Sequence, residues 1–366
     1  MNVQHLNVKN FRNIEHIEIN PCDGINIIHG ENAQGKTNLL ESIWLFTGCR
    51  SFRSSKDKEL IGFGNKKALL SMDFFAEGRD QYSEIEIADK RSYSLNGVKM
   101  KSASKMMGNF LAVVFSPVHL SLVKDGPYER RRFLDIAISQ LKPNYALTLT
   151  QYNKALNQRN ILLKDIALHS ELYDTLDIWE DRIAFFASEI VRQRIGYINK
   201  LSEYTDEIYD GLSSSKERME ISYNQQTVIA GNNKQELYEN IKNQLYLSRK
   251  SDLITGFTSV GPHRDDLSIK IDSLSARNYG SQGQQRSAAL ALKLGEAAVI
   301  KNFSDEQPIA LLDDVMSELD TGRQNYILNH IKNWQVFITC CDPTTVKNLK
   351  AGNAFEISCG KVVSSK

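Results

Sequence analysis

The chain has 366 residues, with 45 basic against 44 acidic side chains and a formal net charge of +1. That length suits two domains or one large domain with an insertion. The balanced charge leaves no tail to advertise a partner, so any nucleic-acid contact falls to local basic patches. No apolar run approaches the roughly 18–20 residues of a membrane span, and the opening MNVQHLNVKNFRNIE lacks the apolar core of a signal peptide. The five cysteines form no Cys-x-x-Cys pair, which reads as a reduced, cytoplasmic protein.

From Met1 to about Phe115 the pattern is mostly short strands. IEHIEI and YSEIEIA alternate, and Asn96-Gly97 between alternating segments is a hairpin signal. Ile25, Ile27 and Ile28 form a short apolar strand, and Leu39, Leu40, Ile43 and Trp44 recur at helical spacing. FLAVVFSP reads as a buried strand ended by Pro117. From about Gly126 to Arg249 the texture turns helical. Pro127 suits a first turn, and Phe133, Leu134, Ile138 and Leu141 share a helical face. MEISYN suggests one strand inside this region, and Trp179, Phe185 and Phe186 read as core residues rather than base-stacking platforms. After Ser251 strand and helix alternate again, through LSIKI, SAALALKLGEAAVI, IALLDD, RQNYILNHI and QVFIT. Cys340 and Cys341 follow the last of these strands and read as buried thiols. The whole is one α/β domain split by a mainly helical insertion.

The strand and helix around residues 25–44 enclose GENAQGKT, a glycine, four residues, then Gly-Lys-Thr. Gly30 and Gly35 permit the backbone angles that turn N–H groups inward around phosphates. Lys36 reaches the β and γ phosphates, Thr37 offers its hydroxyl to Mg²⁺, and the helix N-terminus adds partial positive charge. The nucleotide-binding set is therefore Gly30, Glu31, Asn32, Ala33, Gln34, Gly35, Lys36, Thr37 and Asn38. PIALLDD is an apolar strand ending in two carboxylates. Asp313 is assigned to the metal, acting through water, and Asp314 to polarising the attacking water. Ser281, Gly283 and Gln284 open a second helix as a second phosphate-binding corner. One phosphate needs only one such corner, so this one suits a nucleotide held by another copy.

Arg130, Arg131 and Arg132 are the densest basic run, either a solvated, ion-paired helix end or a phosphate-backbone contact. Lys9, Arg12, Arg50, Arg53, Lys56 and Lys58 are further DNA-facing candidates. His263 and Arg264 read either as a structural turn with an internal ion pair or as groups near the nucleotide or a dimer seam.

Together these stretches resemble the ATP-binding-cassette ATPases, in the branch of the chromosome-maintenance and Rad-type repair ATPases. GENAQGKT looks like Walker A, SQGQQ like the signature motif, IALLDD like Walker B and SELD like the D-loop. More closely, LNVKNFRNIE, CRSFRS, VVFSPVHLSLVKDGPYERRRFLD, TSVGPHRDDL and LLDDVMSELD are similar to the RecF family of bacterial recombination mediators. The resemblance implies an ATPase head of mixed sheets around the phosphate loop, residues 1–125 and 251–366, with a helical arm at 126–250. It implies an ATP-dependent homodimer in which Lys36 and Thr37 of one copy face Ser281 and Gly283 of the other. It implies ATP and Mg²⁺ as cofactors, weak ATPase activity, double-stranded and gapped DNA held mostly through phosphate contacts, and RecR and indirectly RecO and RecA as partners at gaps coated by single-strand-binding protein. The wider class follows the Walker B aspartate with glutamate, where this chain has the shorter Asp314. A transporter subunit shares the loop and signature but not the helical insertion. A chromosome-organising head predicts long heptads, which the chain lacks.

Overall fold

The computed structural model describes residues 1–53, 56–120, 122–225, 233–341 and 352–365. In chain order, β1 (Asn2–Phe11) and β2 (Ile14–Ile19) form a hairpin, and β3 (Ile25–His29) leads through the phosphate loop into α1 (Lys36–Leu45). Next come four antiparallel strands: β4 (Ala68–Ala76), β5 (Arg79–Ile87), β6 (Arg91–Leu95) and β7 (Val98–Met100). Asn96 and Gly97 both take positive φ between β6 and β7, as a two-residue hairpin turn demands. β8 (Ala112–Phe115) ends before α2 (Pro117–Leu120). The helical stretch is α3 (Pro127–Leu141), α4 (Pro143–Asp165) and α5 (Leu176–Ser213), then β9 (Met219–Asn224) and α6 (Lys234–Thr255). At 38 residues α5 is about 57 Å long at 1.5 Å per residue. The remainder is β10 (Asp266–Ile271), β11 (Leu274–Ser275), α7 (Ala276–Tyr279), α8 (Gln282–Ser304), β12 (Ile309–Asp313), α9 (Thr321–His330), β13 (Val336–Cys340), β14 (Asn353–Ser358) and β15 (Lys361–Ser365).

Three sheets result. One is antiparallel in the order β2-β1-β4-β5-β6-β7, and β11-β10-β9 is a small second one. The third runs β15-β14-β3-β13-β12-β8 and is parallel from β14 to β8. A sheet with both faces covered needs apolar residues on both, and that is why IALL and AVVF run without polar alternation. Ile309, Leu311, Ala112, Val114 and Phe337 pack with α1 and the antiparallel sheet. Ala310, Leu312, Val113, Phe115 and Ile338 pack with the helices, α5 and α8 among them. The two-residue period then sets the facing of the polar residues at the strand ends. Asp313 continues the Ile309–Leu311 row and Thr339 the Phe337 row, so both point to the α1 side.

The expected boundary at 250 falls inside α6. β9 also pairs antiparallel with β10, matching Ile221 to Ile269, so a strand of the stretch 126–250 completes a sheet with the segment beyond it. Phe185 corrects the expectation of a core ring. It is 51% exposed, and the Lys234 ammonium lies 4.5 Å from its centroid. Cys340 is buried as expected, whereas Cys341 is exposed, at the point where the chain leaves β13.

Candidate nucleotide site

The phosphate loop crosses the carboxyl end of β3, beside β13 and β12, where open α/β sheets bind ligands. Gly30 has φ +148°, and a Cβ there would lie 2.2 Å from the Ile357 carbonyl oxygen. Gly35 has φ +112°, and its Cβ would meet Asn13 Oδ1 at 2.9 Å. The two glycines thus let β14 and the β1–β2 turn press against the loop. Lys36 is 4% exposed and folds back over the loop, its Nζ donating to the Gly30 carbonyl at 2.7 Å and the Glu31 carbonyl at 2.9 Å. Asn32 Oδ1 lies 3.0 Å from Cys341 Sγ, which is itself 3.7 Å from Lys36 Nζ. Gln34 accepts the Cys359 N–H at 2.6 Å through its side chain and the Gly360 N–H at 3.0 Å through its carbonyl. Ala33 takes φ +64°.

Thr37 Oγ1 donates to Asp313 Oδ1 at 2.7 Å, and Thr339 Oγ1 donates to the same oxygen at 3.0 Å. Burial pushes the Asp313 carboxyl above its ordinary value, against the pull of these two hydroxyls. Asp314 has left-handed backbone, φ +49°, and its N–H donates to Thr339 Oγ1 at 2.9 Å. The residue is partly exposed. One buried carboxylate and one threonine hydroxyl are a fitting partial oxygen set for Mg²⁺, which uses one or two carboxylates with substrate phosphates and water. Among the described residues no cluster of three or more His, Cys, Asp or Glu could hold a metal alone.

The second corner is built as a capping box. The Ser281 hydroxyl accepts the Gln284 N–H at 3.2 Å, and the Gln284 side-chain carbonyl accepts the Ser281 N–H at 2.7 Å. Gln284 Nε2 donates to Glu217 at 2.8 Å, and the Gly283 carbonyl accepts from Arg323 at 3.1 Å. Ser281 is exposed. Among the described residues no hydrogen bond joins this corner to the phosphate loop of the same chain.

A family model described as the RecF/RecN/SMC N terminal domain matches residues 2–358. Curated proteins named DNA replication and repair protein RecF are 41% identical to the chain. The one from Acetivibrio thermocellus aligns over 96% of each chain, and that from Ruminiclostridium cellulolyticum over 100% of each. The chain belongs to the RecF family. A solved structure of the recombination mediator protein RecF-ATPrS in the RecFOR pathway has 37% identity to it and a TM-score of 0.93, covering 98% of this chain and 97% of that one. One of RecF-ATP in the same pathway has a TM-score of 0.91 at 37% identity, covering 99% and 96%. The Smc head domain from Pyrococcus furiosus, with 18% identity and a TM-score of 0.57 over 100% of this chain and 96% of its own, shares the fold alone.

In this RecF-family chain Arg130 departs from the DNA-facing expectation, while Arg131 and Arg132 stay partly exposed. Arg130 is 3% exposed and bidentate to Asp266, at 2.7 and 2.8 Å, so it faces no solvent partner. Arg131 donates to the Asp265 carbonyl at 2.8 Å and Arg132 to the Ser51 carbonyl at 2.9 Å. The run therefore ties α3 to β10 on one side and to the segment after α1 on the other. Arg12 is paired with Glu41, a fully buried carboxylate of α1, and links the β1–β2 turn to the phosphate helix. Arg53 donates to Asn38 Oδ1 at 2.8 Å, which places it beside the phosphate loop. Arg50, Lys9, Lys56 and Lys58 are exposed. Arg130→Ala is expected to cost about 2–3 kcal/mol, below the ~3–5 of a fully buried pair because Asp266 keeps some solvent. The thermal midpoint should fall, and DNA affinity of the folded protein should not change.

His263 and Arg264 sit in a turn closed by the Arg264 N–H on the Gly261 carbonyl at 2.9 Å. His263 Nε2 lies 3.0 Å from the Thr258 carbonyl and Nδ1 2.6 Å from the Tyr152 hydroxyl. Burial lowers its pKa to about 4, so the imidazole is neutral near pH 7. The carbonyl only accepts, so Nε2 carries the proton and Nδ1 accepts from Tyr152. Arg264 donates to the same carbonyl at 3.1 Å. Sequence reasoning missed Asn13. Its amide donates to the Ala33 carbonyl at 2.9 Å while its oxygen accepts from Asn38 at 2.7 Å, bracing the loop from the β1–β2 turn. The signal was an asparagine at a two-residue turn, which nothing local connects to a loop 20 residues later.

Proposed function

We propose that this chain is a DNA-binding ATPase that dimerises on Mg²⁺–ATP and acts as a recombination mediator at single-strand gaps. Within one copy, Lys36 binds the β and γ phosphates and Asp313 with Thr37 holds the metal. Asp314 orients the attacking water. Ser281 and Gly283 of a second copy close the site from the opposite side. The observation that carries this reading is the division of the site: Asp313 meets the loop through Thr37 and the Asp314 N–H follows on Thr339, while among the described residues no hydrogen bond joins the exposed Ser281 corner to them in its own chain. RecR, and through it RecO and RecA, are the partners that the RecF family implies. A cytoplasmic location is part of this reading. The full-length likeness to curated RecF proteins speaks against a transporter subunit, and among the described residues no helix is long and apolar enough to cross a membrane. The helical stretch from residue 126 to the end of α6 at Thr255 acts as an arm on the head, tied to it by the pairing of β9 with β10.

Ser281→Arg tests the division. Loss of the cap costs the helix about 1 kcal/mol, which leaves the fold intact, and the added bulk and charge sit at the seam. The expected result is ATP binding by the monomer near the wild-type level with dimerisation and hydrolysis lost, read by nucleotide titration and light scattering. Equal loss of monomer binding would show that Ser281 serves its own chain.

A further inference from the structure

Phe63 is 105% exposed, its ring standing clear of the surface. Single exposed apolar side chains are ordinary, but this one is held out by a fixed turn. The Gly62 N–H donates to the Asn10 carbonyl at 2.7 Å, the Arg12 N–H to the Leu60 carbonyl at 2.9 Å, and the Asn65 N–H closes the turn on the Gly62 carbonyl at 3.0 Å. Ile61 makes a β-bridge with Phe11. The glycines on either side have separate reasons. A Cβ at Gly62 would sit 3.0 Å from the Arg12 carbonyl oxygen, and Gly64 takes φ +79°. The turn is thus moulded to the end of the β1–β2 hairpin and presents a ring with little backbone freedom left to lose on binding.

The surroundings are basic, not apolar. Lys56, Lys58, Lys66 and Lys67 lie in one short stretch of chain, and all are exposed. Of the acids among them, Asp57 pairs with Arg91 and the Glu59 carboxylate accepts the Lys56 N–H at 3.3 Å. Lys67 pairs with Glu86 at 2.9 Å, and Lys9 stands across from Leu69 at the same end of the sheet. In a chain of net charge +1 this is a local excess. A protein interface would surround an aromatic anchor with further apolar area, whereas Gly64, Asn65 and Lys66 beside this ring are exposed.

We propose that the Phe63 turn is a nucleic-acid contact, in which the ring stacks on an unstacked base and Lys56, Lys58 and Lys66 neutralise the adjoining phosphates. A lone ring finds its complement in the flat π-face of a base, and lysines flanking it match the charge on either side. Bases inside a duplex are already stacked, so the contact selects ends, gaps and single strands. The inference rests on the DNA-binding reading above and adds to it the contacting group and the unstacked base that it recognises.

The test titrates a gapped duplex and a single strand, each carrying one 2-aminopurine, with wild type, Phe63→Ala, Phe63→Trp and Lys66→Ala in Mg²⁺–ATP. Wild type is expected to quench the fluorescent base. Phe63→Ala should lose the quench and bind about tenfold more weakly, with an unchanged melting temperature because the ring packs on nothing. Phe63→Trp should restore both. Lys66→Ala should keep the quench and lower the slope of log affinity against log salt by roughly one. If wild type binds DNA and Phe63→Ala binds equally with the same quench, the turn is not a contact, while the DNA reading stands. If wild type binds neither DNA, the DNA reading itself fails and this inference with it. Phe63-dependent sedimentation with anionic vesicles, with DNA binding unaffected by the substitution, would assign the turn to a lipid surface and overturn the proposal.

Discussion

Lys36→Arg is expected to reduce ATP affinity on the order of a hundredfold and to abolish the ATP-dependent dimer. Lys36 is 4% exposed, and its ammonium is held by the Gly30 and Glu31 carbonyls at 2.7 and 2.9 Å. That space is cut for a compact charge on a flexible stem. A planar guanidinium carries the same charge in a broader, more rigid head. Overpacking costs about 1–3 kcal/mol, and a misplaced charge-assisted hydrogen bond about 1.5–3 kcal/mol. The glycine-imposed contacts of the loop with Ile357 and Asn13 leave it little room to relax. Nucleotide titration measures the first effect and light scattering with and without ATP the second. A variant that dimerises and hydrolyses normally would remove Lys36 from the site.

Asp314→Asn should slow hydrolysis by about 10²–10⁴, the usual contribution of a positioned general base, and prolong the dimer. Asparagine tolerates left-handed backbone, so the φ of +49° and the N–H bond to Thr339 survive the change. What is lost is the charge that polarises water. Asp313 keeps its bonds to Thr37 and Thr339, so Mg²⁺–ATP should still bind. ATP that bridges two copies favours the dimer by mass action, and its consumption is the release step. DNA held by the dimer should then dissociate more slowly from the variant, and faster for both proteins as salt rises. Dissociation times at two salt concentrations check this. Slow hydrolysis with wild-type DNA release would separate the ATP cycle from the DNA contact.

The sequence by itself determined the local chemistry. A buried strand, GENAQGKT and a helix succeed one another within residues 25–45, and each signal acts on its neighbours through φ, ψ and the first helical turn. The same holds for the Ser281–Gln284 capping box and the Asn96-Gly97 hairpin turn, since their partners lie within three residues. The period-two count even assigns Asp313 and Thr339 to the α1 face once both strands are known to be covered on both sides. What only the tertiary structure decided is where long side chains end. Arg130 reads the same in sequence whether it meets DNA or Asp266, 136 residues away. Arg12 finds Glu41, Asn13 finds Ala33, and Cys341 finds Asn32 across 309 residues. The pairing of β9 with β10 likewise carries the sheet past the expected boundary at 250. An arginine or asparagine carries donors but no direction, and the acceptor that satisfies them is chosen by how the sheets and helices close around one another.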